Sequence, residues 1–412
     1  MRISIDYVAR VEGEGSVEFE VKGGKLQDLK LKIWEPPRFF EGFLVGRKYH
    51  EAPDIVSRIC GICPVSHMTT AICAVENALG FSPSSAITKL RDIMTLSQIA
   101  ASHVVHIYML ALPDYHGLAM LSGLDDEMQR LLRLKEALND VTGTIGGRPL
   151  HPVSMVVGGF TKAPAERDLD RLRKGLDAVK KDAVNTVRMV SELKYPLLMS
   201  DAEYAAISAD GHYAVNQGMI ATSAGLRIEL ADYDAYFPEK EVPYSNAKRT
   251  VLKGNKPVMV GALARLNVKF HELHPEAKKA ASAVGFGPGG KNPFYNITAQ
   301  AVEIVHCVWK CIELLDTLTH EDTLMNVTVR EGEGAAITEA PRGLLYHQYE
   351  LNRLGVIEKA NIVTPTAYNF LSLENALRKL VMENIDKPVE KLSLLCEMLV
   401  RAYDPCFSCS VH

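Results

Sequence analysis

The chain has 412 residues, 47% hydrophobic and 23% charged, with a formal charge of -4. It is long enough to bury a core shared by two or three lobes, and its mild charge, without runs of one sign, excludes the basic footprint of a nucleic-acid-binding protein. No stretch approaches the ~20 consecutive apolar residues that span a bilayer, and the start, MRISIDYVARVEGEG, lacks the basic-then-apolar order of a secretory signal. The expectation is a cytoplasmic protein.

Residues 2 to 34 alternate apolar and polar in ISIDYVARV, SVEFEV and LQDLKLKIW, with Gly23 and Gly24 between the last two runs. This pattern predicts antiparallel strands and a hairpin, a β-rich segment over 1 to 50. From about 64 to 200 the spacing becomes helical in VSHMTTAICAVENAL, ITKLRDIMTLSQIAASHVVHIYMLAL and DRLRKGLDAVKKDAVNTVRMVSEL, a helical core over 51 to 200. Pro113, GTIGGRPLHP and the GGF at 158 to 160 are predicted to interrupt these helices. Residues 201 to 290 are richer in Gly, Tyr and Pro and read as a mixed α/β lobe, and 291 to 412 return to helix. The fold class is mainly α with small β elements (α+β), the four segments forming one integrated unit.

Eight cysteines are too sparse for a disulfide scaffold in so long a chain. Four of them form two CxxC pairs, in RICGIC at 58 to 63 and DPCFSC at 404 to 409. Two intervening residues let both sulfurs of a pair turn toward one ion, and soft thiolates select zinc, copper(I), iron clusters or nickel over magnesium or calcium. Structural zinc is the bland reading, but zinc ribbons close a short loop, whereas these pairs are separated by almost the whole chain. A thioredoxin-type redox pair fits worse, because the compact βαβ context is missing.

The two pairs with their flanks, RICGICPVSH and DPCFSCSVH, resemble the paired signature of the large, catalytic subunit of [NiFe]-hydrogenases. The resemblance continues in order through RVEGEG (10 to 15), PRFFEGFLVGR (37 to 47), SHVVHIYMLALPD (102 to 114), GGRPLHP (146 to 152), EAPRGLLYH (339 to 347) and NIVTPTAYN (361 to 369). Residues 200 to 290 add little to it. It implies a central helical bundle with an N-terminal antiparallel sheet. Nickel would be held by Cys60, Cys63, Cys406 and Cys409, with Cys63 and Cys409 also bridging to an iron that carries carbon monoxide and two cyanides.

Other positions take roles by the same resemblance. Arg342 would lie over the open metal position, held by Asp114 and Asp404 beside Pro341; on its own, a buried Arg is an ordinary ion-pair partner. Glu12 would relay a proton from a terminal cysteine, where a lone Glu near Gly is otherwise a solvated turn residue. Pro365 and Thr366 would face the cyanides, with Thr366 in a place where serine is common and Tyr368 in place of a commoner tryptophan. His67 would hydrogen-bond a bridging sulfur. Glu41, the Ile362 carbonyl and His412 would hold magnesium or a substitute cation. His103 and His106 read as satisfied core histidines.

The reaction implied is reversible heterolytic cleavage of dihydrogen, with Arg342 and the Cys406 thiolate both open as the base. Cys73, Cys307, Cys311 and Cys396 sit at apolar helical spacing and read as core, so electrons would leave through a separate iron-sulfur small subunit. The RFFE spelling is most similar to the cytoplasmic, cofactor-coupled (group 3) hydrogenases, whose further electron-transfer subunits are of flavin and NAD(P), deazaflavin or heterodisulfide reductase type. By the same resemblance, an ending on His412 fits the form left by a maturation endopeptidase or a relative made without a tail. The alternatives are a non-catalytic relative like the quinone-reducing subunit of respiratory complex I, and a structural zinc protein.

Overall fold

The computed structural model describes residues 2 to 209, 211 to 318 and 322 to 411; the expected cation ligand His412 lies outside them. Strands β1 (Arg2–Ile5), β2 (Gly15–Lys22) and β3 (Lys25–Ile33) form an antiparallel sheet in that order. Gly23 and Gly24 both have positive φ, 59° and 70°, the backbone a two-residue hairpin needs to match strand twist. Val17, Phe19, Leu29, Leu31 and Ile33 face the core.

Helix α1 (Pro64–Leu79) starts on a proline that tolerates the first turn and ends on left-handed Gly80. Helix α2 (Ser85–Val105) is capped by the Ser84 hydroxyl, which accepts from the Ile87 amide. Pro113 does not interrupt it as expected. A π turn over His106–Ala111 carries the helix on to His116, with the Leu112 amide reaching the Ile107 carbonyl five residues back. Proline lacks the N–H that would satisfy the carbonyl one turn earlier, and widening the turn absorbs that loss. This run, Ser85–His116, is the one helix among the described residues long and apolar enough to cross a membrane; 83% of its apolar window is buried inside the fold. Helices α3 (Asp125–Gly146), α4 (Glu166–Ala178) and α5 (Lys180–Ser191) complete the bundle wall.

Strands β4 (Glu203–Ser208), β5 (Met219–Thr222), β6 (Arg227–Ile228) and β7 (Val258–Met259) form a sheet in the order β7-β4-β5-β6, followed by α6 (Ala262–Lys269). Helix α7 (Asn296–Asp316) is buried on all sides from Asn296 to Val308 and packs on α2 and α5, so it is the centre of the bundle. A second antiparallel sheet follows: β8 (Gly332–Ala340), β9 (Gly343–Leu351) and β10 (Ile357–Val363). Only Pro341 and Arg342 join β8 to β9, and α1 packs across both strands. Helices α8 (Pro365–Glu383) and α9 (Val389–Ala402) lead to residues 403 to 411, every one of them buried.

A candidate thiolate metal centre

Cys60 follows a 3-10 turn in extended conformation, and Cys63 stands at the N-cap of α1. The Ile62 and Cys63 amides therefore approach the Cys60 sulfur at 3.3 and 3.4 Å, at a helix end whose dipole favours a thiolate. The Cys63 thiol bonds to Cys60 and holds it below the ordinary thiol value, an effect to which Arg342 adds; the same contact raises Cys63 well above that value.

Facing this loop is the 404 to 411 segment. Cys60 and Cys406 sulfurs lie 3.6 Å apart, and those of Cys406 and Cys409 are joined as a disulfide, which has to be reduced before the two can serve as metal ligands. The ligand atoms of Cys60, Cys406 and Cys409 fall within 4.8 Å of one another, as do those of Cys63, His67 and Cys409. The two CxxC pairs thus converge on one buried place.

The RVEGEG strand seats the segment from the other side. Glu12 pairs with Cys406 as an isolated parallel bridge, and the Phe407 amide donates to the Glu12 carbonyl at 2.8 Å. The half-buried Glu12 carboxylate lies 2.9 Å from the Cys406 sulfur and accepts from the Ser408 amide at 3.2 Å and from the Ser408 hydroxyl. Gly13, at φ +82°, is there because a Cβ would lie 2.6 Å from the Ser408 nitrogen.

Arg342 occupies the β8–β9 tip. Its Nε donates to the Asp404 carbonyl at 2.7 Å and, with Nη2, to the Asp404 carboxylate at 3.1 and 2.8 Å. Its Nη1 is buried with no hydrogen-bond partner among the described residues. Burial favours loss of its charge, but Asp404 and the Cys60 and Cys63 sulfurs more than offset this and hold the guanidinium above its usual value. Asp114 does not hold it, contrary to expectation. Its carboxylate is taken by Arg401 at 2.6 and 3.0 Å and by Arg10, because α9 ends beside Asp114 and the bend at Arg10, between β1 and β2, passes the same point. Asp114 anchors the chain on both sides of the centre instead.

Thr366 Oγ1 accepts the Cys406 amide at 2.9 Å. Pro365 opens α8, and the Pro341 carbonyl accepts from Arg265 at 3.0 Å. Tyr368 is buried edge-on against Phe237 and hydrogen-bonded to Tyr233, so the space behind that loop is filled by a tyrosine pair. Glu41 accepts the Ile362 amide at 2.8 Å, which brings those two expected cation ligands together. His106 bonds through both ring nitrogens, to Gln300 and the Arg401 carbonyl, and is satisfied in the core as expected; His103 bonds to Glu303 at 2.7 Å through Nε2, but its buried Nδ1 has no partner among the described residues, so it is only half satisfied. Cys307, Cys311 and Cys396 are buried; Cys73, read as core, is only half-buried because it lies at the edge of its apolar cluster.

Two arginines were not singled out from sequence. Arg38 Nη2 donates to the Ile59 carbonyl at 2.7 Å and to the Ser408 carbonyl, joining the residues just before Cys60 and Cys409. Arg265, wholly buried, binds Glu303 and Glu339 and the Ala340 and Pro341 carbonyls, fixing the tip that carries Arg342. Arg38 lies inside the quoted PRFFEGFLVGR stretch, which was its available signal; ALARLNVK offers none for Arg265.

Once the disulfide is reduced, the donor set of four cysteine sulfurs, with a cationic N–H beside it that has no partner among the described residues, fits a soft transition metal. A family model described as nickel-dependent hydrogenase matches residues 38–130 and 214–412. The chain belongs to that family and is an oxidoreductase acting on dihydrogen, which sets aside the zinc and complex-I-like alternatives. It is 36% identical to the alpha chain of sulfhydrogenase 1 from Pyrococcus furiosus over 100% of this chain and 97% of that one. It is 31% identical to a chain of the F420-non-reducing hydrogenase of Methanothermobacter thermautotrophicus, over 100% and 95%. Among solved structures, an NAD+-reducing [NiFe]-hydrogenase in its H2-reduced state superposes with a TM-score of 0.91 at 26% identity, covering 100% of this chain and 99% of that one.

Proposed function

We propose that this chain is the catalytic subunit in which Cys60, Cys63, Cys406 and Cys409 hold nickel, with Cys63 and Cys409 shared by an iron carrying carbon monoxide and two cyanides. The observation that carries the reading is the convergence of both CxxC pairs beneath the unpartnered Arg342 Nη1. The grouping of Cys63 and Cys409 with His67, and the close approach of Cys60 to Cys406, support their division into bridging and terminal ligands.

When bound, the nickel-iron group supplies the Lewis acidity that lets dihydrogen be split into two protons and two electrons. Arg342, kept cationic by Asp404, is not the base; it presents fixed N–H groups to the open side of the centre. The Cys406 sulfur takes the proton, and its 2.9 Å bond to Glu12 Oε2 is the first step outward, with Ser408 Oγ on the other carboxylate oxygen. Pro341, through its bond to Arg265, keeps the guanidinium in place, while Thr366 and Pro365 wall the side where cyanide would sit.

Electrons leave through a partner. No group of cysteines beyond the two pairs clusters at ligand distance among the described residues, which supports an iron-sulfur small subunit. A solved neighbour named as NAD+-reducing supports a soluble acceptor in the cytoplasm reached through flavin and NAD(P) type subunits, with deazaflavin and heterodisulfide reductase types as the other routes of the proposal. A maturation endopeptidase belongs to the same proposal. Glu41 and the Ile362 carbonyl, with His412, would take magnesium or a similar cation. Metal analysis of the purified complex tests the centre: one nickel and one iron per chain, with infrared bands of metal-bound carbonyl and cyanide, is the expected result, and zinc alone would refute it.

A further inference from the structure

A chain of three buried side chains runs away from the centre behind Cys63 and Cys409. His67 Nδ1 lies 3.3 Å from His347 Nε2, and His347 Nδ1 lies 2.7 Å from the Tyr349 hydroxyl. All three residues are at most 1% exposed. His347 and Tyr349 stand two apart on β9 and so face the same side of the sheet, toward α1 and His67.

A neutral imidazole has one donor and one acceptor nitrogen, so the protons in this chain can run in only two directions. In one, Tyr349 donates to His347 Nδ1, His347 Nε2–H donates to His67 Nδ1, and His67 turns an Nε2–H toward the sulfurs. In the other, His67 turns a lone pair toward two anionic thiolates, and the Tyr349 hydroxyl proton has no acceptor among the described residues. The hydroxyl keeps its proton near neutral pH, as an ordinary phenol does. Both ends therefore select the first direction.

We propose that His347 and Tyr349 are positioning residues that set the tautomer of His67, so that it donates a hydrogen bond to the bridging sulfurs of Cys63 and Cys409. The inference rests on the proposed role of those sulfurs. Such a bond withdraws electron density from a metal thiolate, so the relay tunes the centre from outside its ligand set.

The test uses infrared spectra of the anaerobically purified complex carrying His67→Leu, His347→Leu or Tyr349→Phe, with nickel measured in each. The expected result is retained nickel and a carbonyl band moved to lower frequency in all three: by similar amounts in the two histidine variants, and by less in Tyr349→Phe. A band that moves in His67→Leu but stays in place in the other two overturns the relay. If His347→Leu does not retain nickel, Tyr349→Phe, which removes a single oxygen, decides alone; loss of nickel there as well would make the chain merely structural. A parent complex without carbonyl or cyanide bands would overturn the metal reading first, and with it the thiolates that give the relay its direction.

Discussion

Replacing Arg38 with alanine should loosen the centre without touching a metal ligand. One guanidinium nitrogen bonds the carbonyls that precede Cys60 and Cys409, two loops otherwise far apart in sequence. Hydrogen bonds to a charged group contribute ~1.5–3 kcal/mol each. The side chain is half-exposed, so the lower end applies, giving about 3 kcal/mol for the pair, or a roughly 150-fold rise in opening of the 404 to 411 segment. Hydrogen exchange in the intact complex reads this at the Phe407 and Ser410 amides, which donate to Glu12 and Phe407 carbonyls. Arg38→Lys, a single-point donor, should fall between. Unchanged protection of these two amides in Arg38→Ala would refute the reasoning.

Arg342→Lys should retain nickel but lower dihydrogen turnover roughly 100-fold, since a lysine cannot keep the two-pronged hold on Asp404 and also present a free N–H; unchanged turnover removes Arg342 from the mechanism. Gly343→Ala should displace the same tip, because Gly343 sits at φ +129° with its Cβ position 2.7 Å from the Gly261 nitrogen; the cost is of order 1–3 kcal/mol, and the check is turnover at constant nickel. His306 is buried and accepts the His274 amide at 2.9 Å, and its pKa is depressed by burial to about 3 from 6.5. The unfolded chain therefore takes up a proton below pH 6.5 that the folded one refuses, so stability is full above that pH and falls as pH drops. Between pH 7 and 5 the loss is about 2 kcal/mol in urea unfolding, and His306→Gln should flatten that part of the profile.

The four cysteines proposed as ligands could be singled out because CxxC spacing is a local property, and the two hairpin glycines because positive φ is too. The roles carried by contacts were not. Asp114 was assigned by motif to Arg342, whereas only the packing of α9 shows Arg401 and Arg10 reaching it first. Pro113 looked like a break because a linear pattern does not reveal that a helix will widen by one residue to absorb the missing N–H. Arg265 reads as one charge on an amphipathic helix, and its burial depends on Glu303 and Glu339, which lie 38 and 74 positions further on.

Cys60 and Cys406 meet across 346 positions, and Glu12 and Cys406 across 394. A contact of that span has a consequence in time. At ~5–20 residues per second of synthesis, the first sulfur pair waits roughly 20 to 70 s for the second. Throughout that interval the nascent protein displays two thiols and an incomplete pocket. Whatever delivers the metals has this window, before the last turn of chain is laid between the Glu12 strand and α1. The first CxxC loop is therefore made long before its partner, and a defect in the final eight described residues would leave that loop and Glu12 facing nothing.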